Sequence, residues 1–349
     1  MNKHIQIGKH TLGQGQPPYI IAEMSGNHNQ DITRAFKIID AAKKSGVHAV
    51  KLQTYTADTI TIDHDGDEFM VSEGLWAGRN LYELYQEAHT PWDWHKDLFD
   101  HAAKRDITLF SSPFDNTAID FLEDLNAPAY KIASFEIIDL PLVRYAATTG
   151  KPLIISTGLA TEDEIREAIE CVRDTGNENL VMLHCVSGYP SDPAEANLNT
   201  MCHIAREFDV LSGLSDHSYG IAVPVAATAL GACVIEKHLT LSRAEGGVDS
   251  DFSLEPQEFT ELVTNCRLAH AALGTVDYSL KPSEAQNQKF RRSLYAVADI
   301  RKGDVLSAQN IRSIRPGLGL KPKYYDELLG KVTATDIARG SPLSWDMLE

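Results

Sequence analysis

GLSDHSYGIAVPVAATALGACVIEKHLTL, residues 213–241, decides the fold. An apolar strand, Val210 to Leu214, leads into it and breaks at Ser215-Asp216-His217. An Ala/Val-rich helical run follows, from about Gly220 to Leu230. A second strand, Cys233 to Glu236, then ends in Lys237-His238. Strand, helix, strand in this order is a β-α-β unit, whose parallel strands require a right-handed crossover. Each strand therefore delivers a histidine at its C-terminal end. In a parallel barrel those ends face one way and carry the active site. Two imidazoles from adjacent strands can share one divalent metal, which makes His217 and His238 candidate ligands.

The same alternation extends on both sides of this unit. On the N-terminal side the strand segments are Pro18–His28, Ala49–Thr54, Thr108–Phe114, Ala129–Ser134, Pro152–Gly158 and Leu180–Ser187. Helical segments follow them, among them one capped by Asp31 and one capped by Thr161. Residues 55–90 are charged and irregular and read as a long loop over one barrel face. Pro256 to Leu273 supplies the last helix. Eight strands alternating with helices predict a (β/α)8 TIM barrel over 1–280. A doubly wound open sheet would carry a Gly-rich phosphate loop after its first strand, and none is present. Residues 281–289 read as a linker. From 290 to 349 the pattern changes to short strands and turns, a small β-rich domain. Within it Arg301-Lys302-Gly303-Asp304-Val305-Leu306-Ser307 and Ala338-Arg339-Gly340-Ser341-Pro342-Leu343-Ser344 echo each other.

Composition narrows the function. The 349 residues are 43% hydrophobic and 23% charged, globular values, with a net charge of −17. That charge argues against nucleic acid and anionic membrane as partners, and a small anionic substrate would need a local basic pocket. The first residues have no apolar signal-peptide core, and the longest apolar run is too short to span a bilayer. Five cysteines form no CxxC pair. A cytoplasmic protein with reduced thiols is expected.

The strand ends hold that basic pocket. Lys51 and Lys131 stand there amid Ser112, Ser134, Ser156, Ser187 and Ser215. Lysine is rarely buried unless paired, so two of them among hydroxyls suggest a phosphate or carboxylate site. Structural salt bridges and a Schiff-base lysine of the class I aldolase kind are the alternatives. Glu23 and Glu136 are candidate acid/base groups, or groups that orient a substrate hydroxyl. Gln53 and Tyr189 lie at the same level.

IIAEMSGNHNQ, AVKLQTY, SSPFD, YKIASFEI, IISTGLAT, HCVSGYP, GLSDHSYGIAVPVAATALGA, IEKHLTL and FSLEP together resemble the sialic acid synthase family. These enzymes condense phosphoenolpyruvate with an N-acetylated amino sugar. SLYAVADIRKGDVLSAQNIRSIRPGLGL resembles that family's C-terminal antifreeze-like (SAF) domain. EMSGNHNQ and LSRAEGGVDSDFSLEP resemble the pseudaminic acid synthase subgroup. N-acetylneuraminate synthases usually carry glycine-isoleucine or glycine-glutamine at the Ser25-Gly26 position, which points away from N-acetylmannosamine as acceptor. The resemblance implies a divalent metal, Mn²⁺ or Mg²⁺, on His217 and His238. It implies that Lys51, Ser112, Lys131, Ser134, Ser156, Ser187 and Ser215 hold phosphoenolpyruvate. Glu23, Gln53, Tyr189 and Asp249 would face the sugar, and Glu136 would move a proton. It further implies a domain-exchanged homodimer in which Arg315 closes the partner's barrel.

The expected reaction is therefore condensation of phosphoenolpyruvate with 2,4-diacetamido-2,4,6-trideoxy-altrose, with C–O cleavage and phosphate release. N-acetylneuraminate or legionaminate synthesis and a metal-dependent aldolase or hydrolase on the same barrel are the enzymatic alternatives. A binding protein that uses the C-terminal domain as an ice- or carbohydrate-recognition module is the non-enzymatic one.

Overall fold

A computed structural model describes all 349 residues, which divide into two compact units, Met1–Gly274 and Thr275–Glu349. The first unit opens with a hairpin, β1 (His4–Ile7) paired antiparallel with β2 (His10–Gly13). Eight parallel strands follow: β3 (Tyr19–Glu23), β4 (Ala49–Thr54), β5 (Thr108–Pro113), β6 (Tyr130–Ile132), β7 (Leu153–Ser156), β8 (Leu180–Cys185), β9 (Leu211–Asp216) and β10 (Val234–His238). Each pairs with the next, and β10 pairs with β3 as well as β9, so the sheet closes into a barrel.

The helices around it are α1 (Ile32–Ser45), α2 (Ala57–Ile60), α3 (Leu81–Ala88), α4 (His95–Lys104), α5 (Asn116–Asp124), α6 (Leu140–Thr148), α7 (Glu162–Arg173), α8 (Asn199–Glu207), α9 (Ala222–Ala229) and α10 (Pro256–Leu273). The sequence sets their starts. The Asp31 carboxylate accepts from the Thr33 amide at α1, and Thr161 and Glu164 form a reciprocal capping box at α7. The barrel strands are apolar runs buried on both faces, as parallel strands under a helical layer require.

Apolar packing occupies two layers. Between barrel and helices lie side chains such as Ile38, Leu52, Leu98, Ile235 and Leu262 on one side, and Leu142, Ile155, Ile169 and Met182 on the other. Inside the barrel, Ile21, Phe110, Ile154, Leu183 and Val234 stack with Ile5, Ile7 and Leu12 of the hairpin, which plugs the N-terminal end.

One expectation needs correction, and two stretches gain detail. The hairpin β1–β2 lies where no element was read from the sequence. Residues 55–90 are not one irregular loop, because α2 and α3 lie within them, the latter capped by Asn80 accepting from the Tyr82 amide. Within the stretch read as a linker, residues 281–289, the chain is a run of 3-10 turns, Pro282–Phe290.

In the second unit β11 (Ser293–Ala296) pairs with β12 (Ile311–Ile314), the short helix α11 spans Tyr325–Leu328, and isolated bridges such as Ile300–Ile337 and Val305–Val332 complete the β framework. The internal echo has a structural counterpart. Gly303 and Gly340 both take left-handed turn conformations, and Leu306 and Leu343 both bury their side chains in the domain's small core. No helix of the chain is long and apolar enough to cross a membrane.

Candidate active site

The barrel register brings the chemistry-bearing strand ends to one level. His238 is level with Glu23, Glu23 with Lys51, Gln53 with Ser112, and Glu236 with Ser215. Glu23, Lys51, Ser112, Lys131, Ser134, Ser156, Ser215, His217, His238 and Asp249 are all buried. Gln53, Glu136, Ser187 and Tyr189 are partly covered. Thirteen of the fourteen barrel-side expectations thus sit on strands β3 to β10 or on the turns just after them, and Asp249 lies in the longer loop beyond β10. Arg315 is an exposed residue of the second unit, just beyond β12.

A four-charge cluster forms the centre. Lys51 Nζ lies 2.9 Å from Glu23 Oε2 and 3.3 Å from Glu236 Oε1, and it also donates to Ser112 Oγ at 3.3 Å. Lys131 Nζ lies 3.7 Å from Glu236 Oε1 and donates to the Ile132 carbonyl at 3.1 Å. Ser215 Oγ donates to the same Glu236 oxygen. Burial pushes the Glu23 carboxyl up to about 7, against the pull of Lys51. Burial works on Glu236 as well, but Lys131 and Lys51 together hold it below the ordinary carboxylate value. Lys51 is kept above the usual lysine value by its two carboxylates despite its burial, whereas burial lowers Lys131. A Glu23 that can take up a proton near neutrality leaves two cations against one carboxylate. That surplus suits a small anion.

Hydroxyls complete the cradle. Ser156 Oγ is buried without a partner. A Cβ on Gly158 would stand 2.1 Å from Ser187 Oγ and 2.7 Å from Ser134 Oγ, so the absent side chain leaves room in front of both. Nearby, Glu136 Oε2 is buried and unpartnered. Burial raises this carboxyl to about 7, with Lys131 opposing, so it can hold or release a proton near neutrality.

The ring centroids of His217 and His238 are 5.4 Å apart. His238 Nδ1 is buried with no hydrogen-bond partner, 3.9 Å from Asp249 Oδ2, and burial with the neighbouring His217 drives it well below the usual imidazole value. A neutral imidazole with an orphaned ring nitrogen is what a metal ligand requires. His217 differs. Burial opposes its charge, but the Cys185 thiol 3.8 Å from Nδ1 raises it, and the same contact brings Cys185 down to about 7 against its own burial. No group of three or more His, Cys, Asp and Glu is gathered tightly enough to enclose a cation. The donor set therefore fits a two-imidazole half-site whose remaining positions fall to water or substrate.

The sugar-facing side is polar below and aromatic above. Gln53 Nε2 donates to Glu23 Oε1 and Ser25 Oγ, both at 3.0 Å, and Ser25 Oγ donates to Asp249 Oδ2. Burial raises Asp249, with Ser25 opposing. Tyr189 packs at ring-centroid distances of 4.5 Å from His217, 5.3 Å from Phe252 and 5.5 Å from Trp76. The Trp76 indole donates to the Val248 carbonyl at 2.8 Å, tying residues 55–90 to the loop that carries Asp249.

Several participants carry no assignment from sequence. Glu236 is visible beside His238, yet nothing in its spacing announces that it shares both lysines. Cys185 becomes the neighbour of His217 only through strand pairing. Lys237 is fully buried, with Nζ donating to Asp216 Oδ2 at 2.5 Å and to the Ser218 carbonyl, and so pins the two histidine-bearing strand ends together. A lysine inside an apolar strand was the signal for that pair. An open cavity of about 340 Å³ lies at the opposite barrel end beside Lys3, Gly13 and Cys233, away from this chemistry.

Comparison with known proteins assigns the chain to a family. The family model described as NeuB family matches residues 38–278, and that described as SAF domain matches 291–349. The chain belongs to the NeuB family. Within this family it is 46% identical over 339 residues to the pseudaminic acid synthase of Campylobacter jejuni, spanning 97% of this chain and 98% of that one. The N,N'-diacetyllegionaminic acid synthase of the same organism is 37% identical over 316 residues, 90% of this chain and 95% of that one. The crystal structure of the N-acetylneuraminic acid synthetase of Leptospira borgpetersenii, a complex with citrate, superposes with a TM-score of 0.73 at 31% identity. The match covers 82% of this chain and 95% of that one.

Proposed function

We propose that this chain condenses phosphoenolpyruvate with 2,4-diacetamido-2,4,6-trideoxy-altrose to give pseudaminic acid and inorganic phosphate. One observation carries the choice of acceptor. Of two related synthases in one organism, the chain is 46% identical to the pseudaminic enzyme and 37% to the legionaminic one. The buried Lys51–Lys131 pair with its ring of serines supports phosphoenolpyruvate as the anionic partner.

In this reading Lys51 and Lys131 neutralise the phosphate and carboxylate, and Ser112, Ser134, Ser156, Ser187 and Ser215 orient them by hydrogen bonds. C3 of phosphoenolpyruvate forms a bond to C1 of the open-chain sugar, water adds at C2, and the C2–O bond to phosphate breaks. Glu136, half-protonated near neutrality, can pass a proton to the forming alkoxide or take one from the adding water. His217 and His238 would hold a divalent cation, Mn²⁺ or Mg²⁺, which when bound supplies Lewis-acid polarisation of the acceptor carbonyl. Glu23, Gln53, Tyr189 and Asp249 line the sugar. The reading includes a domain-exchanged homodimer whose exposed Arg315 presents its fork to an acetamido carbonyl of a sugar in the partner's barrel. It also includes a cytoplasmic location, which five free cysteines support.

A phosphate-release assay with phosphoenolpyruvate, Mn²⁺ and three sugars tests the assignment. The altrose sugar should exceed N-acetylmannosamine in kcat/KM by at least about 100-fold, the scale expected when buried polar groups lose partners. Equal use of N-acetylmannosamine would reject the assignment, and preference for the diacetamido mannose isomer would move it to legionaminate synthesis.

A further inference from the structure

Ser25 occupies a backbone conformation that a side chain seldom tolerates. Its φ is +46°, in the left-handed region. Of the eight non-glycine residues with positive φ it alone is buried, and the other seven are exposed. Strain of this kind persists where the surroundings hold it and gathers at functional sites. Here the surroundings are Asp249 and Gln53. Ser25 has one hydroxyl proton, and it goes to Asp249 Oδ2. The hydroxyl oxygen can then only accept, so Gln53 must present its NH₂ there, 3.0 Å away. The second amide hydrogen goes to Glu23 Oε1. Both donors of Gln53 are thereby used, and its carbonyl oxygen is left for a ligand.

We infer that Ser25 is a positioning residue that sets acceptor preference: it fixes Gln53 and Asp249 as a wall of hydrogen-bond acceptors that reads N–H donors on the sugar. The inference rests on the reaction proposed above and deepens it. An acceptor with a second acetamido N–H gains from such a wall, and one with a hydroxyl of free orientation gains less. Ser25 touches the substrate only through its two neighbours.

Ser25→Gly is an apt probe, because glycine takes positive φ at no steric cost while the hydroxymethyl group is lost. Ser25→Ala removes the hydroxyl but keeps the strained backbone. Steady-state kinetics of wild type and both variants should be measured with phosphoenolpyruvate, Mn²⁺ and each of three N-acetylated sugars, with melting curves alongside. With the acceptor that wild type uses best, kcat/KM should fall about 10- to 100-fold in both variants. The preference for a diacetamido over a monoacetamido sugar should shrink at least about ten-fold, and KM for phosphoenolpyruvate should stay within about two-fold. Ser25→Gly should melt no lower than wild type. An unchanged sugar preference in a folded Ser25→Gly would overturn the inference, as would equal losses toward both substrates. If wild type prefers a monoacetamido sugar, the proposed reaction fails instead. The Ser25 inference is still decided, by whether that preference shifts in the two variants.

Discussion

Replacing Lys51 with methionine tests the electrostatics of the barrel centre. Lys51 is 4% exposed in its side chain, with Glu23 at 2.9 Å and Glu236 at 3.3 Å, themselves 1% and 6% exposed. Methionine fills much of the volume but leaves two buried carboxylates with a single cation, Lys131, 3.7 Å from Glu236. Removing one partner of a buried pair costs about 3–5 kcal/mol. The carboxylates have an escape, which is to take up a proton. Glu23 already sits at about 7 beside Lys51, and without that cation it moves higher. The sign follows. A carboxyl whose folded value lies above its unfolded one binds a proton in the fold that the unfolded chain has released, so stability falls as pH rises between the two values. In wild type that fall ends near pH 7, and in Lys51→Met it continues, by at most about 1.4 kcal/mol for each further pH unit. Urea unfolding should therefore show a loss of about 1–2 kcal/mol at pH 5.5 and about 3–4 kcal/mol at pH 8.5. Adding Glu23→Gln to Lys51→Met should restore at least half of the alkaline loss. A loss of equal size at both pH values, with no rescue, would refute the account.

Two further outcomes are expected. His217→Ala and His238→Ala should each bind Mn²⁺ at least about ten-fold more weakly by titration calorimetry and lose turnover while the fold is kept, because strand-end residues serve the site more than the core. Unchanged Mn²⁺ affinity in both would remove the metal from these histidines. Arg315→Ala and His217→Ala should each be nearly inactive alone, yet co-expressed chains should recover roughly a quarter of wild-type activity if Arg315 acts across a two-fold dimer, since random pairing makes half the dimers mixed. No recovery in verified mixed dimers would place Arg315 in its own subunit's site.

The barrel was legible because parallel strands under helices must be apolar on both faces, and AVKLQT, LIIS and LVMLHC are such runs. The site was legible for a related reason. A lysine, serine or histidine at the end of an apolar run has no packing purpose, so Lys51, Lys131 and His238 stood out. What the chain did not disclose is who faces whom across the barrel. Glu236 shares its oxygen with Lys51, Lys131 and Ser215, three partners from β4, β6 and β9, and no linear spacing encodes that convergence. Ser25 stood out as a subgroup mark, but its left-handed backbone and its bonds to Asp249 and Gln53 leave no trace in residue type. Helix α3, eight residues amid charges, and the hairpin, with polar His4, Gln6 and Thr11 facing out, were too short to show a period.

The hairpin at the barrel's closed end has a bearing on how the chain reaches its fold. Ile5, Ile7 and Leu12 are made long before part of the cluster that receives them, because it includes Leu211, Cys233 and Val234 of the last two barrel strands. At ordinary elongation rates this separates the plug from its seat by on the order of ten seconds or more. For that time three buried-type side chains are without their site, and the barrel that would cover them cannot close until β10 joins β3. The hairpin is thus made before the last two strands of its seat. It behaves as a stopper fitted once the vessel is finished, and the early chain must be kept from sticking elsewhere until then.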